Sequence, residues 1–240
     1  MLIEDMHVKR KGPDLLRPYL EFLASLPLDK SLRQIKCLED DLKGDLNPSK
    51  LLDVLFFEQQ QWLDFEAFFQ LYVEKNQRLL LNTFPQLDEQ QLLQGLRARL
   101  YRTQCGILTE YQAFLAAQVV FGAEHVRRSL SLDKAGVDFT IAHQQLAYHI
   151  HIFVDTQRAW QYRKYKSTHK RVDAMPGIHV NFPYALESGK INSLYYLPNG
   201  FGVYTPAYLR YLQTEIYAGH LQQQKVSGVN EEGFIYRSIS

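Results

Sequence analysis

An α/β (α+β) architecture, with a helical N-terminal part feeding a mixed sheet core, is predicted by three observations. Apolar and aromatic residues recur at helical spacing through roughly the first hundred positions. Near Leu130 the pattern changes to alternation of period two, rich in β-branched residues. A last amphipathic stretch, from Pro206 to Tyr217, again has helical spacing.

Leu15, Leu16, Tyr19, Leu20, Phe22 and Leu23 follow Pro13, a favourable first-turn residue, and predict the first helix. Asn47 and Pro48 break the chain, and an apolar helix is expected from Leu51 to Phe57. Trp62, Phe65, Phe68, Phe69 and Tyr72 continue the same period as core aromatics. A further helix is expected over Gln91 to Ala117, with Gly95 and Gly106 as weak points. Val137, Phe139 and Ile141 predict one strand, and Ile150, Ile152 and Val154 a second. Residues 157–170 return to helical composition, and Gly177 to Pro183 and Gly200 to Tyr204 read as short strands. The organisation is one domain over 1–240: a mainly helical part to 105, a mixed core over 106–220 and a tail over 221–240.

Composition bounds the class. The chain has 240 residues, 46% hydrophobic and 22% charged, which is enough for a sizeable core. The net charge of +1 hides an uneven distribution: acids gather at Glu39, Asp40, Asp41 and Asp45, whereas residues 156–172 hold six Lys or Arg and no acid. Such a local patch attracts phosphate as a basic whole protein would. Cys37 and Cys105 are too few and too far apart for a disulfide framework or a zinc site. No apolar run approaches a spanning length, and the N-terminus lacks a signal-peptide core, so a cytoplasmic location is expected.

The chemistry concentrates between Gly136 and Lys166. A hairpin turning between Gln144 and Gln145 sets Asp138 opposite His151 and Thr140 opposite His149. Opposed residues lie about 5 Å apart, close enough to share one ion or water. Period two places His149, His151, Phe153 and Asp155 on one face with Asp138, and leaves a Val, Phe and Ile face as the buried side. An acid leaving an apolar strand beside polar groups suits hydrolysis assisted by a hard cation such as Mg²⁺. The plain alternative is a set of hydrogen-bonded surface residues on an amphipathic hairpin. A His-x-His pair also suits Zn²⁺, but no third ligand stands at matching spacing. In the following segment Arg158, Arg163, Lys164, Lys166, Lys170 and Arg171 interleave with Trp160, Tyr162 and Tyr165. This is a solvated helix face or, given the missing acids, a phosphate-binding one. Arg97, Arg99 and Arg102 form a second cluster, of which at least one is expected to be structural.

Five segments in register carry a family resemblance: Glu21 to Leu26, Gln34 to Pro48, Leu96 to Thr103, the Gly136–Asp138 and Ile150–Ile152 hairpin, and Leu197 to Phe201 followed by the helix from Pro206. Together they resemble the Taq I type of restriction endonuclease. The resemblance implies a restriction-endonuclease-like core of the PD-(D/E)xK kind in a homodimeric, Mg²⁺-dependent type II enzyme. Such an enzyme cuts duplex DNA at a short palindrome, TCGA for the type member, beside a cognate DNA methyltransferase. By position Asp138 becomes the metal-binding acid, with Asp155 and Glu110 as further metal candidates. The pattern on the second strand asks for an acid or amide, an apolar residue and a lysine; here it reads His151, Ile152 and Phe153. The missing lysine leaves three possibilities. His151 or His149 acts as base; a cation reaches in from the following helix, with Arg163, Lys164 and Lys166 ahead of Arg158; or the fold binds DNA without cutting it. A metal-dependent RNA nuclease or toxin is the remaining alternative. Arg158 to Arg171, with Arg102, are the expected DNA-binding residues.

Overall fold

The computed structural model describes residues 12–35, 38, 42–129, 132, 136–169, 175–185, 194–221 and 226–227. Side chains at 34, 164, 166–169 and 226–227 fall outside that set, as do Cys37, the acids at 39–41, Lys170 and Arg171. The chain is mixed α+β and divides into two compact units: Ser25–Tyr111, and Met1–Ala24 with Gln112–Ser240.

The first unit is helical. It holds α2 (Lys30–Gln34), a 3-10 turn at Gly44–Leu46, α3 (Pro48–Asp53), α4 (Phe65–Thr83) and most of α5 (Glu89–Phe121). Asn47 caps α3 by accepting from Ser49 N–H, and Pro48 opens it, so the predicted break is a helix start. The helix expected over Leu51–Phe57 is instead the end of α3 followed by one π turn, Val54–Glu58. The aromatic stripe is core: Phe65 meets Tyr101 edge to face at 5.0 Å, and the Tyr72 hydroxyl donates to the Leu46 carbonyl at 2.5 Å. Its burial pushes the Tyr72 pKa up to about 12. α5 passes through Gly95 and Gly106 without a break over 33 residues, so its packing outweighs the helix cost of two glycines, about 1 kcal/mol each. Cys105 is a buried free thiol whose pKa is raised by desolvation.

The second unit is built on a sheet. β1 (Val126–Arg127), β2 (Phe139–His143), β3 (Leu146–Val154), β4 (Ile178–Tyr184) and β7 (Val226–Ser227) lie in the order β1-β2-β3-β4-β7. β1, β2 and β3 are antiparallel, whereas β3-β4 and β4-β7 are parallel. A parallel pair needs a crossover, and α6 (Gln157–His169) provides it between β3 and β4. β5 (Leu194–Tyr196) and β6 (Gly202–Tyr204) form a separate ribbon, and α7 (Pro206–Tyr217) follows it, capped by Thr205. The ribbon's turn is tied to α1 (Gly12–Ser25) by the Asn199 amide, which donates to the Leu23 carbonyl at 2.7 Å.

One sheet face is apolar. Phe139, Ile141, Tyr148, Ile150, Val180 and Phe182 are all buried; Phe114 of α5 meets Phe139 at 6.1 Å, and Tyr204 and Tyr208 meet Phe182 at 5.2 and 5.6 Å. Pro183 sits inside β4, where a proline removes a ladder donor. The Tyr184 carbonyl faces β3, where it accepts from Asp155 N–H. Alternation therefore turns the Pro183 nitrogen toward β7, which pairs only with His179 and Val180.

The hairpin register matches the expected one: Phe139 pairs with Ile150, Thr140 with His149 and Ile141 with Tyr148. Its turn residues, Gln144 and Gln145, have φ of 49° and 57°, so both are left-handed as a type I′ turn requires. Non-glycine residues there cost about 1–2 kcal/mol each in principle. The double substitution Gln144→Asn with Gln145→Gly supplies the residue pair that such a turn prefers. It is expected to stabilise the protein by about 1 kcal/mol, raising Tm by roughly 2–4 °C. A melt showing no rise would count against this turn.

Candidate functional site: a buried polar row beside Asp138

The polar face of β3 is not open to solvent, as the amphipathic hairpin led one to expect. His149 and His151 are each 3% exposed, and both sheet faces are buried here. Parallel pairing brings His179 beside His149 and Asn181 beside His151, and these partners are 1% exposed. Buried polar atoms need partners, and each ring has them. His149 Nε2 faces the Pro176 carbonyl at 3.1 Å and its Nδ1 faces the Thr140 hydroxyl at 2.9 Å. A carbonyl only accepts, so Nε2 carries the proton and Thr140 donates to Nδ1. His151 Nδ1 donates to the Gly136 carbonyl at 2.8 Å, which leaves its Nε2 to accept from His179 Nδ1 at 2.8 Å. With Nδ1 given to His151, His179 Nε2 lies 3.3 Å from the Met175 carbonyl, which accepts from it only when that nitrogen also carries a proton. Gly177 makes the stack possible: a Cβ there would lie 2.6 Å from the Ala147 carbonyl and 2.8 Å from His149 Nε2.

Asp138 stands half-buried just before β2. Its backbone N–H donates to the Ile150 carbonyl at 3.0 Å, and its Oδ2 accepts from Ile152 N–H at 2.5 Å. The carboxylate thus continues the ladder where the strand ends. His151, by holding Gly136, fixes the two-residue approach to it.

Helix α6 covers the polar face. Trp160 meets Phe153 edge to face at 4.8 Å, and its indole N–H donates to Asp155 Oδ1 at 2.7 Å. The position where the family pattern places lysine is therefore closed by two aromatic rings. Arg163 turns inward, 6% exposed, and its Nε donates to Asn181 Oδ1 at 3.0 Å. Arg158 is exposed, with Tyr162 and Tyr165 at 52% and 49% on the outer face.

The other expected residues separate. Glu110 belongs to the helical unit, half-buried. Arg102, also in that unit, donates to the Leu32 and Ile35 carbonyls. Arg97 pairs with Glu66 and lies over Phe65 and Phe69 at 5.3 and 4.8 Å, so this cluster has the structural role expected of at least one member. Lys164 and Lys166 lie on α6 with side chains outside the described set. His179 and Asn181 were not singled out from the sequence. Their signal is a second polar alternation, His179-Val180-Asn181, which becomes meaningful only beside His149-Ile150-His151 in parallel register.

A magnesium ion takes oxygen ligands, one or two carboxylates completed by water and phosphate. Asp138 fits as such a carboxylate; the histidines do not, because their nitrogens face protein atoms and imidazole suits softer ions. Among the described residues no group of three or more His, Cys, Asp or Glu side chains is arranged to hold a metal. No helix among them is long and apolar enough to cross a membrane.

Burial holds the His151 pKa well below its usual value, with the Arg163 charge adding to the effect and His179 and His149 contributing. The unfolded chain takes up this proton first, near pH 6.5, so the neutral ring's contribution is present above about pH 6.5 and is lost as pH falls. Melting curves between about pH 8 and pH 5 should show Tm dropping on the acid side, less steeply in His151→Gln. Parallel slopes for the two proteins would contradict a buried neutral imidazole.

The TaqI restriction endonuclease family model matches residues 16–191, a span that takes in most of α1, α5, the hairpin, α6 and β4. No curated protein and no solved structure matches the chain at comparable stringency. The family match covers the larger part of the chain and both strands of the polar row, and the chain belongs to the TaqI restriction endonuclease family.

Proposed function

We propose that this protein is a Mg²⁺-dependent type II restriction endonuclease that cuts duplex DNA at a short palindrome, TCGA being the first candidate. The observation that carries the reading is the hairpin: Asp138 stands just before β2 with its carboxylate on Ile152 N–H, and the helix that follows β3 carries Arg158, Tyr162 and Tyr165 on its outer face. Family membership supplies the reaction class. Asp138 would hold the ion; when bound, magnesium neutralises phosphoryl oxygens and makes a water more acidic. His151 serves as a positioning residue, holding the Gly136 carbonyl and so the carboxylate's approach. Arg158 and the basic residues that follow it would meet phosphates and base edges. A homodimer matches a palindrome by its two-fold axis, and a cognate methyltransferase would protect host DNA.

Plasmid DNA incubated with the protein and Mg²⁺ should give discrete fragments, and Asp138→Ala should abolish them while DNA affinity stays within about threefold. Cutting by Asp138→Ala at the normal rate would remove Asp138 from the site. Arg158→Ala should weaken binding to all sequences and reduce the salt slope by about one phosphate contact; an unchanged slope would place the DNA elsewhere.

One observation favours a DNA-binding protein that does not cut: β3 carries no lysine, and Trp160 packs on Phe153 and engages Asp155 where a cation would otherwise stand. Its signature is a mobility shift with the plasmid left intact in Mg²⁺.

A further inference from the structure

We propose that the exposed face of α6 reads bases in the major groove of duplex DNA, with the Gln161 amide selecting an adenine and the Tyr162 ring meeting the thymine of the same pair. This rests on the nuclease reading above and names the residues that choose the sequence.

The inner contacts of α6 fix its rotation. Trp160 packs on Phe153 and donates to Asp155 Oδ1, and three residues on the buried Arg163 donates to Asn181 Oδ1. At about 100° per residue, Arg158, Gln161, Tyr162 and Tyr165 then fall on the opposite side. All four are exposed, the tyrosines by 52% and 49%. Thr156 fixes the start of the helix by accepting from Ala159 N–H at 3.2 Å. Base reading needs such a rigid support.

The make-up of this stripe suits DNA. A solvated helix face normally mixes charges of both signs, whereas residues 156–172 carry six Lys or Arg and no acid, a charge complementary to phosphate. Gln161 is exposed, and its amide makes no hydrogen bond to any described residue. The carbonyl and amino groups of one amide match adenine N6 and N7 as a bidentate pair, and an apolar ring suits the thymine methyl. These are the two marks of an A·T pair in the major groove, and neighbouring positions of one helix carry a reader for each. From Gln161 to Tyr165 the helix rises about 6 Å, roughly two base-pair steps. That is one half of a four-base-pair palindrome, and each half of TCGA holds one A·T pair.

The test uses the full chain. Fragment ends from a plasmid cut with Mg²⁺ give the site, which should contain an A·T pair. Mobility shifts with Ca²⁺ in place of Mg²⁺ then compare the site duplex, a random duplex, and site duplexes carrying 7-deazaadenine (no N7 acceptor) or uracil (no methyl). Gln161→Ala should bind the site about 10- to 100-fold more weakly and the random duplex within about threefold of normal, with Tm unchanged. The 7-deazaadenine duplex should cost the unmodified protein about tenfold and Gln161→Ala nothing further; uracil should cost about fourfold, and Tyr162→Ala nothing further. A site without an A·T pair, an equal loss on site and random duplexes, or a modified-base effect retained in the matching variant would overturn the proposal. So would a stripe that joins copies of this chain, seen as dissociation by Tyr162→Ser with Tyr165→Ser while Gln161→Ala keeps full selection. If the unmodified protein fails to cut, the nuclease reading falls and this inference with it. If it cuts, Asp138→Ala does not and Gln161→Ala keeps full selection, only this inference fails.

Discussion

The architecture of the sheet unit depends on satisfying a polar face that is buried rather than exposed. His149, His151, His179, Asn181 and Arg163 are each under a tenth exposed, and an unpaired polar group in such a place costs on the order of 1–3 kcal/mol. Two strands in parallel register and one crossover helix are needed to pair them. Removing any one element would strand the others' donors and acceptors. The polar layer therefore ties β3, α6 and β4 into one unit, and its outer end is where Asp138 emerges.

The same layer accounts for the uncharged His151 and Phe153, where the resemblance led one to expect an acid or amide and a lysine. An acid at 151 and an ammonium at 153 would each have to be desolvated against the helix. Imidazoles and an aromatic pair carry less desolvation cost, since neutral rings can be buried with hydrogen bonds alone.

Much of this was legible in the sequence where a local rule decides the outcome. Period-two alternation and two glutamines between strands were enough to set the hairpin register, because a two-residue turn fixes which residues oppose. Pro206 and the helical spacing after it marked α7, because a first-turn proline is a local signal. Non-local facts were not legible. Pairing of His151 with Asn181 depends on a crossover of more than twenty residues, and no local pattern states which strands become neighbours. The burial of the polar face follows from where α6 lies, and Gly95 and Gly106 read as weak points only when α5 is considered without its packing. Arg163 looked like one more member of a basic run; its inward direction is a property of the helix phase set by Trp160 on Phe153.

Pro183 has a consequence for how β4 ends its pairing. Its nitrogen lies on the β7 side and has no hydrogen to donate, so the missing donor falls beyond the pairs that His179 and Val180 make with β7. Its carbonyl accepts from the Tyr204 hydroxyl at 3.1 Å. A side chain of the β5-β6 ribbon thus takes over where a strand partner stops, and the β3 side, on which the polar row depends, is undisturbed.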